Sequence, residues 1–150
     1  MTELSGFEEK IMEYFSRYDE AYEGCAARAG LTFTTLSVLD CVCALGEGCT
    51  QKQVAEKLRF SKQQVNQALS LFLAKEYVVL RENPKDRRNK GIYFTDKGKD
   101  FAEKSVLSVW KAGKRAADTL SLKEQEQFLS VLDRYVAAFE RETAAFPGKE

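Results

Sequence analysis

The sequence predicts a mainly α chain with a single small β-hairpin. Three observations predict it. Apolar residues recur at spacings of three and four along most of the 150 residues. Three capping boxes, Thr50 with Gln53, Ser61 with Gln64 and Ser121 with Glu124, mark helix starts. Only residues 77–95 depart from the helical period, with β-branched and aromatic runs on either side of a polar, turn-rich stretch.

Residues 7–28 set Phe7, Ile11, Tyr14, Phe15, Tyr18, Tyr22 and Cys25 along one stripe of a long helix, and Gly30 follows as its stop. Residues 33–45 form a second helix with Leu36, Leu39, Val42, Cys43 and Ala44 on its apolar side, broken by Gly46 and Gly48. Thr50 opens a short third helix carrying Val54, Ala55 and Leu58. After the tight connection Arg59-Phe60, Ser61 opens a fourth helix, which runs to about Lys75 and buries Val65, Ala68, Leu69, Phe72 and Leu73. Two short helices joined by so few residues are a helix-turn-helix pattern. Residues 77–81 read as a strand, residues 83–91 as a polar loop and residues 92–95 as the returning strand, together a hairpin or "wing". After Gly98 a long helix runs to about residue 118 with Phe101, Val106, Leu107, Val109 and Trp110 among its apolar positions. Ser121 opens the last helix, with Phe128, Val131, Leu132, Tyr135, Val136 and Phe139.

Composition narrows the function. No apolar run approaches the roughly 20 residues that cross a bilayer. The start, Met1 to Gly6, lacks a basic segment followed by an apolar one, so a cytoplasmic protein without membrane partners is expected. There is no His, which removes His-dependent triads and His-bearing zinc sites. No phosphate-cradling Gly loop or carboxylate pair at a recognisable spacing stands out, so no enzyme and no cofactor is expected. Net charge is zero, yet its distribution is uneven. Residues 1–49 hold three Lys/Arg against nine Asp/Glu, residues 50–99 hold twelve against five, and residues 100–150 hold eight against nine. A basic middle between acidic flanks is the footprint expected for phosphates.

Two features within that basic stretch point to double-stranded DNA. On the helix from Ser61, a rotation of 100° per residue sets Gln63, Gln67 and Ser70 opposite the apolar stripe, with Gln64 and Asn66 beside them. Amides donate and accept at once, so they can grip an adenine edge in the major groove, and Lys62 at the helix N-terminus suits a phosphate. The hairpin tip crowds Lys85, Arg87, Arg88 and Lys90 around a single acid, Asp86. Such a tip fits the negative potential of a minor groove. DNA would repel Asp86, so it is expected to pair with Arg88 or Arg87 and hold the loop's shape.

At these residues the chain resembles the MarR-type regulators (multiple antibiotic resistance and its relatives). The resemblance runs from Leu31-Thr32 through Gly98. It includes Leu39, Thr50-Gln51-Lys52-Gln53-Val54-Ala55, Ser61-Lys62-Gln63-Gln64-Val65, Asn83-Pro84-Lys85-Asp86-Arg87-Arg88 and Phe94-Thr95-Asp96-Lys97-Gly98. It implies a single domain over 1–150, with a winged helix-turn-helix DNA-binding part at 31–98 flanked by dimerisation helices at 1–30 and 99–146. It implies a homodimer on a near-palindromic operator, with two recognition helices in successive major grooves about 34–36 Å apart. Repression is the commoner outcome in such a family, and release by a small aromatic or phenolic ligand is implied as well. The chain departs from the family where Glu76, Gln67 and Leu80 stand; Gly is frequent at the first position and Arg at the other two.

The remaining candidates concern a signal. Tyr14, Tyr18 and Tyr22 with Trp110 form a candidate effector pocket, since Tyr hydroxyls can orient a phenolic or carboxylate ligand; such stripes also serve as core or dimer interface. Cys25, late in the first helix, is the candidate redox site because some branches of the family sense oxidants there, and a small buried hydrophobe is the competing reading. Cys41, Cys43 and Cys49 match no standard zinc spacing, so no metal is expected. The alternative function is a winged-helix module that binds another protein without reading DNA, which should show an apolar patch where the amides and basic tip lie.

Overall fold

The computed structural model describes residues 6–84 and 86–146. The helices are α1 (Gly6–Arg28), α2 (Phe33–Leu45), α3 (Gln51–Leu58), α4 (Lys62–Ala74), α5 (Asp96–Ala117) and α6 (Leu122–Ala144). The strands are β1 (Cys49–Thr50), β2 (Val78–Asn83) and β3 (Asp86–Phe94). The chain forms two compact units, one ending at Trp110 and the other starting at Lys111. Among the described residues no single helix is long and apolar enough to cross a membrane.

In the first unit the core lies between α2, α3, α4 and the sheet, with Ala26 of α1 and Ala102 and Val106 of α5 packed into it. Leu36, Leu39, Val42, Val54, Val65, Leu69, Phe72, Val78, Ile92 and Val106 are each at most 2% exposed. Burial of so many aliphatic side chains is the main force holding this unit together. Leu73, expected in the buried stripe of α4, is exposed at 38%. Eight residues after Val65 it has rotated well off the core-facing side, nearer to Asn66 than to Phe72.

Capping fixes the helix ends. Thr50 and Ser61 each accept the main-chain N–H three residues on, and the Gln there accepts the cap's own N–H in return. A further box at Thr32 and Thr35 opens α2. The end of α4 is closed by Glu76 at φ +58°. The Tyr77 N–H reaches the Phe72 carbonyl at 2.8 Å and the Glu76 N–H reaches Leu73 at 3.0 Å, the paired bonds of a Schellman closure. Glu76 thus adopts the left-handed backbone that Gly supplies more readily, and the closure is intact without Gly. Arg59 ends α3 in the same way at φ +56°.

The sheet has three strands in the order β1-β3-β2, all antiparallel. Two expectations change here. β1 joins the hairpin through Cys49 opposite Ile92 and Thr50 opposite Gly91; two residues are too few to carry a period. The expected loop over 83–91 is mostly strand, because β3 begins at Asp86 and pairs back to Asn83 across a bulge beside Glu82. A ribbon standing in solvent has no apolar face, so its ladder leaves no alternation in the sequence. The helix expected after Gly98 starts at Asp96, with Thr95 Oγ1 accepting the Gly98 N–H at 3.0 Å. Gly98 lies inside this first turn because a Cβ there would fall 1.8 Å from the Tyr77 carbonyl oxygen.

Candidate nucleic-acid interface

The core contacts of α4 decide its orientation. Val65, Ala68, Leu69 and Phe72 are buried, while Lys62, Gln63, Gln64, Asn66, Gln67 and Ser70 are exposed, as is Ser61 at the cap. The structure therefore brings the expected polar residues to one outward surface. Ser70 turns inward at its tip, its hydroxyl donating to the Asn66 carbonyl at 2.8 Å. Lys62 faces a groove shared with Phe60, Val65 and Asn89, on the side of the wing. Gln64 and Gln67 border a second groove with Thr32, Thr34 and Leu71. Thr34 is a neighbour of this surface that the periodicity of α4 alone does not reveal.

At the wing, Arg87, Arg88 and Lys90 are exposed. Lys85 lies outside the described residues. Asp86 shapes the turn, but not through the expected ion pair. One carboxylate oxygen accepts the Arg88 main-chain N–H at 3.0 Å and the other accepts the Asn89 amide at 2.8 Å. No guanidinium–carboxylate pair forms at the tip among the described residues. The bond from Asn89, then that from Arg88, holds the Asp86 carboxyl below the usual carboxylate range. Asn89, not singled out in the sequence, is thus part of the wing's frame. Arg81 on β2 stacks over Tyr93 with 5.4 Å to the ring centroid, stiffening the base of the hairpin. The result is a tip whose acid, Asp86, is bonded within the turn and whose Arg87 and Arg88 are exposed.

Residues 29–89 match the MarR family model. That segment is similar to the MarR family. No curated protein matches it. Among solved structures, NMB1585, a MarR family regulator from Neisseria meningitidis, is similar at 18% identity over 93% of this chain and 98% of that one, with a TM-score of 0.77. CouR from Rhodococcus jostii, bound to p-coumaroyl-CoA, is similar at 22% identity over 97% and 96%, with a TM-score of 0.71. Staphylococcus aureus MarR, in complex with salicylate and kanamycin, is similar at 15% identity over 91% of each chain, with a TM-score of 0.69. At these identities the likeness is one of fold, a mainly α winged helix-turn-helix.

The candidate effector residues separate into two groups. Tyr22 and Trp110 meet at a residue the sequence did not single out, Asp40. The Tyr22 hydroxyl donates to one Asp40 oxygen at 3.0 Å and the Trp110 indole N–H to the other at 2.7 Å. Burial, and then the Asp40 charge, pushes the Tyr22 hydroxyl above its ordinary range, so it donates as the neutral phenol. Tyr22 also meets Phe33 edge-on at 5.2 Å. A shallow cleft of ≈ 370 Å³ beside Trp110 is lined by Val42, Cys43, Phe94 and Leu107. Tyr14 and Tyr18 stand exposed on the preceding turns of α1, at 53% and 73%, and do not join this cluster.

Cys25 is half-buried, and its Sγ accepts from Arg28 Nη2 at 3.2 Å. Burial raises the other three thiols. Cys43, also beside Asp40, and Cys49, near Cys41, are each pushed up to about 11, and Cys41 is raised too. These three are protonated and weakly nucleophilic at neutral pH.

Proposed function

We propose that the chain is a sequence-specific DNA-binding transcription regulator, a repressor, acting as a homodimer on a near-palindromic operator. The observation that carries this reading is the surface of α4. Its outward side offers Gln63, Asn66 and Gln67, with Leu71 exposed one turn beyond Gln67, next to a wing whose Arg87, Arg88 and Lys90 are exposed. Amides read base edges, and guanidinium groups bind phosphates or a narrow minor groove. Ser61, Lys62, Gln64, Ser70 and Asp86 support the same surface as caps, phosphate contacts or loop frame, and Lys85 is proposed to add charge at the tip.

The homodimer reading rests on apolar side chains left exposed on two helices. α1 exposes Met12, Tyr14, Phe15 and Tyr18, and α6 exposes Phe128, Leu129, Val131 and Phe139. Single exposed apolar residues are ordinary, but stripes of them mark interfaces. This supports residues 1–30 and 99–146 as dimerisation segments around a DNA-binding part at 31–98.

For the signal, the salicylate named for the Staphylococcus aureus protein and the p-coumaroyl group named for the Rhodococcus jostii one support an aromatic effector. We assign its site to the cleft beside Trp110, with Tyr22 and Asp40 behind it, rather than to Tyr14 or Tyr18. Cys25 is assigned an oxidation-sensitive role through its contact with Arg28.

The test is selection of bound sequences from random duplex DNA with the full chain, repeated over a salt series. An enriched near-palindrome whose affinity falls steeply with salt is expected. No enrichment and no salt dependence would show that the winged surface serves another partner.

A further inference from the structure

The polar side chains on the outward surface of α4 are not equivalent. Gln64 Oε1 accepts the Ser61 main-chain N–H at 2.9 Å, and Ser61 Oγ accepts the Gln64 N–H at 3.2 Å, so both close the helix N-terminus. The Ser70 hydroxyl proton is held by the Asn66 carbonyl. The side-chain amides of Gln63, Asn66 and Gln67 are exposed, and no hydrogen bond occupies them among the described residues. Helix geometry separates Gln63 from Gln67 by about 40° of rotation and sets Asn66 about 60° to the other side of Gln63. Gln63 and Gln67 are therefore the two free amides that share the outward line.

Charge is arranged differently. Lys62 is the sole charged residue of α4, and it faces the groove beside Asn89. The other cations nearby are Lys52 on α3, which lines the same groove, Arg59 and Lys75 at the helix ends, and those of the wing. The outward line of α4 thus holds no guanidinium or ammonium, the groups that grip guanine through O6 and N7. It holds two groups suited to adenine, whose N7 accepts and whose N6 donates.

We infer that each half-site is centred on two adenines, read by Gln63 and Gln67 at N6 and N7, and that Gln64 is a positioning residue rather than a reader. The inference rests on the DNA-binding reading above. Four residues advance the helix about 6 Å. At about 3.4 Å per base along a strand, the two adenines fall on base pairs up to about two steps apart, on either strand.

The test uses the full chain and its selected duplex, with each half-site adenine replaced in turn by 7-deazaadenine. That base lacks the N7 acceptor but still pairs with thymine. Loss of one hydrogen bond lowers wild-type affinity about three- to tenfold at two positions. Gln63→Ala becomes indifferent to the replacement at one of them and Gln67→Ala at the other. Gln64→Ala keeps the full pattern while lowering the melting temperature. Gln63→Glu, an exposed change that leaves the core untouched, moves the preference at its position from adenine towards cytosine. Specific binding with G·C at both positions, or with every 7-deazaadenine tolerated, overturns this inference and leaves DNA binding standing. Absence of any enriched sequence overturns both.

Discussion

The Asp86 carboxylate closes the wing on the main-chain N–H of Arg88, at 3.0 Å. Its other oxygen takes the Asn89 amide at 2.8 Å. The acid in a basic tip therefore orients the strand that carries Arg87 and Arg88. Asp86→Ala is expected to weaken DNA binding about five- to tenfold, the value of one or two hydrogen bonds in loop order, with little change in melting temperature. The sign with pH follows from the lowered Asp86 pKa. Wing order is complete above the ordinary carboxylate value and is lost as pH falls through the lower folded value. The Arg88 amide resonance should titrate with a midpoint below the ordinary carboxylate value. A midpoint at or above that value contradicts the frame described here.

Two glycines of α5 make opposite predictions. At Gly98 a Cβ would lie 1.8 Å from the Tyr77 oxygen and 2.7 Å from its carbonyl carbon, both main-chain atoms that cannot rotate away. Gly98→Ala should cost about 2–3 kcal/mol or more in denaturant unfolding. At Gly113 a Cβ meets nothing within 4 Å. Gly113→Ala should stabilise by about 0.5–1 kcal/mol through helix propensity alone. Equal effects at the two sites would show that the α5–Tyr77 packing is misdescribed.

The exposed apolar stripe of α6 predicts association. Phe128→Glu combined with Phe139→Glu should convert a dimer into a monomer in sedimentation at micromolar concentration, with retained helical circular dichroism. A monomeric wild type at that concentration contradicts the homodimer.

The cleft beside Trp110 carries its own reporter, because Trp110 is the single tryptophan. A salicylate-like ligand should quench its emission and raise the melting temperature of the wild type. Tyr22→Phe, which removes the donor to Asp40, should weaken that binding by about 0.5–1.5 kcal/mol. No change in emission, stability or DNA affinity at saturating ligand would remove the effector assignment.

Much of this is legible in the sequence. Periodicity and capping boxes locate five of the six helices to within a residue or two, since Thr50, Ser61 and Ser121 each cap as their spacing implies, while α5 starts three residues before the expected point. The polar side of α4 followed from Val65, Ala68, Leu69 and Phe72. What stayed hidden depends on contacts across the chain. β1 exists only because Ile92 lies opposite Cys49, and the outer half of the wing is strand without an apolar face. Asp40 reads as an ordinary acid on an apolar helix, and only the tertiary approach of Tyr22 and Trp110 makes it a junction. An acid in a basic tip needs a partner, and Asp86 has one. Its choice of Arg88's main chain over the guanidinium is a matter of turn geometry that residue type does not encode.

The division of labour between wing and helix is tested most directly by the salt dependence of DNA affinity in three proteins: wild type, Arg88→Ala and Gln63→Ala. If Arg88 neutralises a phosphate and Gln63 reads a base, Arg88→Ala lowers the log–log salt slope by about 1 and weakens all sequences alike. Gln63→Ala then keeps the slope and changes preference at one position by about 1–3 kcal/mol. A loss of base preference in Arg88→Ala with an unchanged slope, and a reduced slope in Gln63→Ala, would contradict the account.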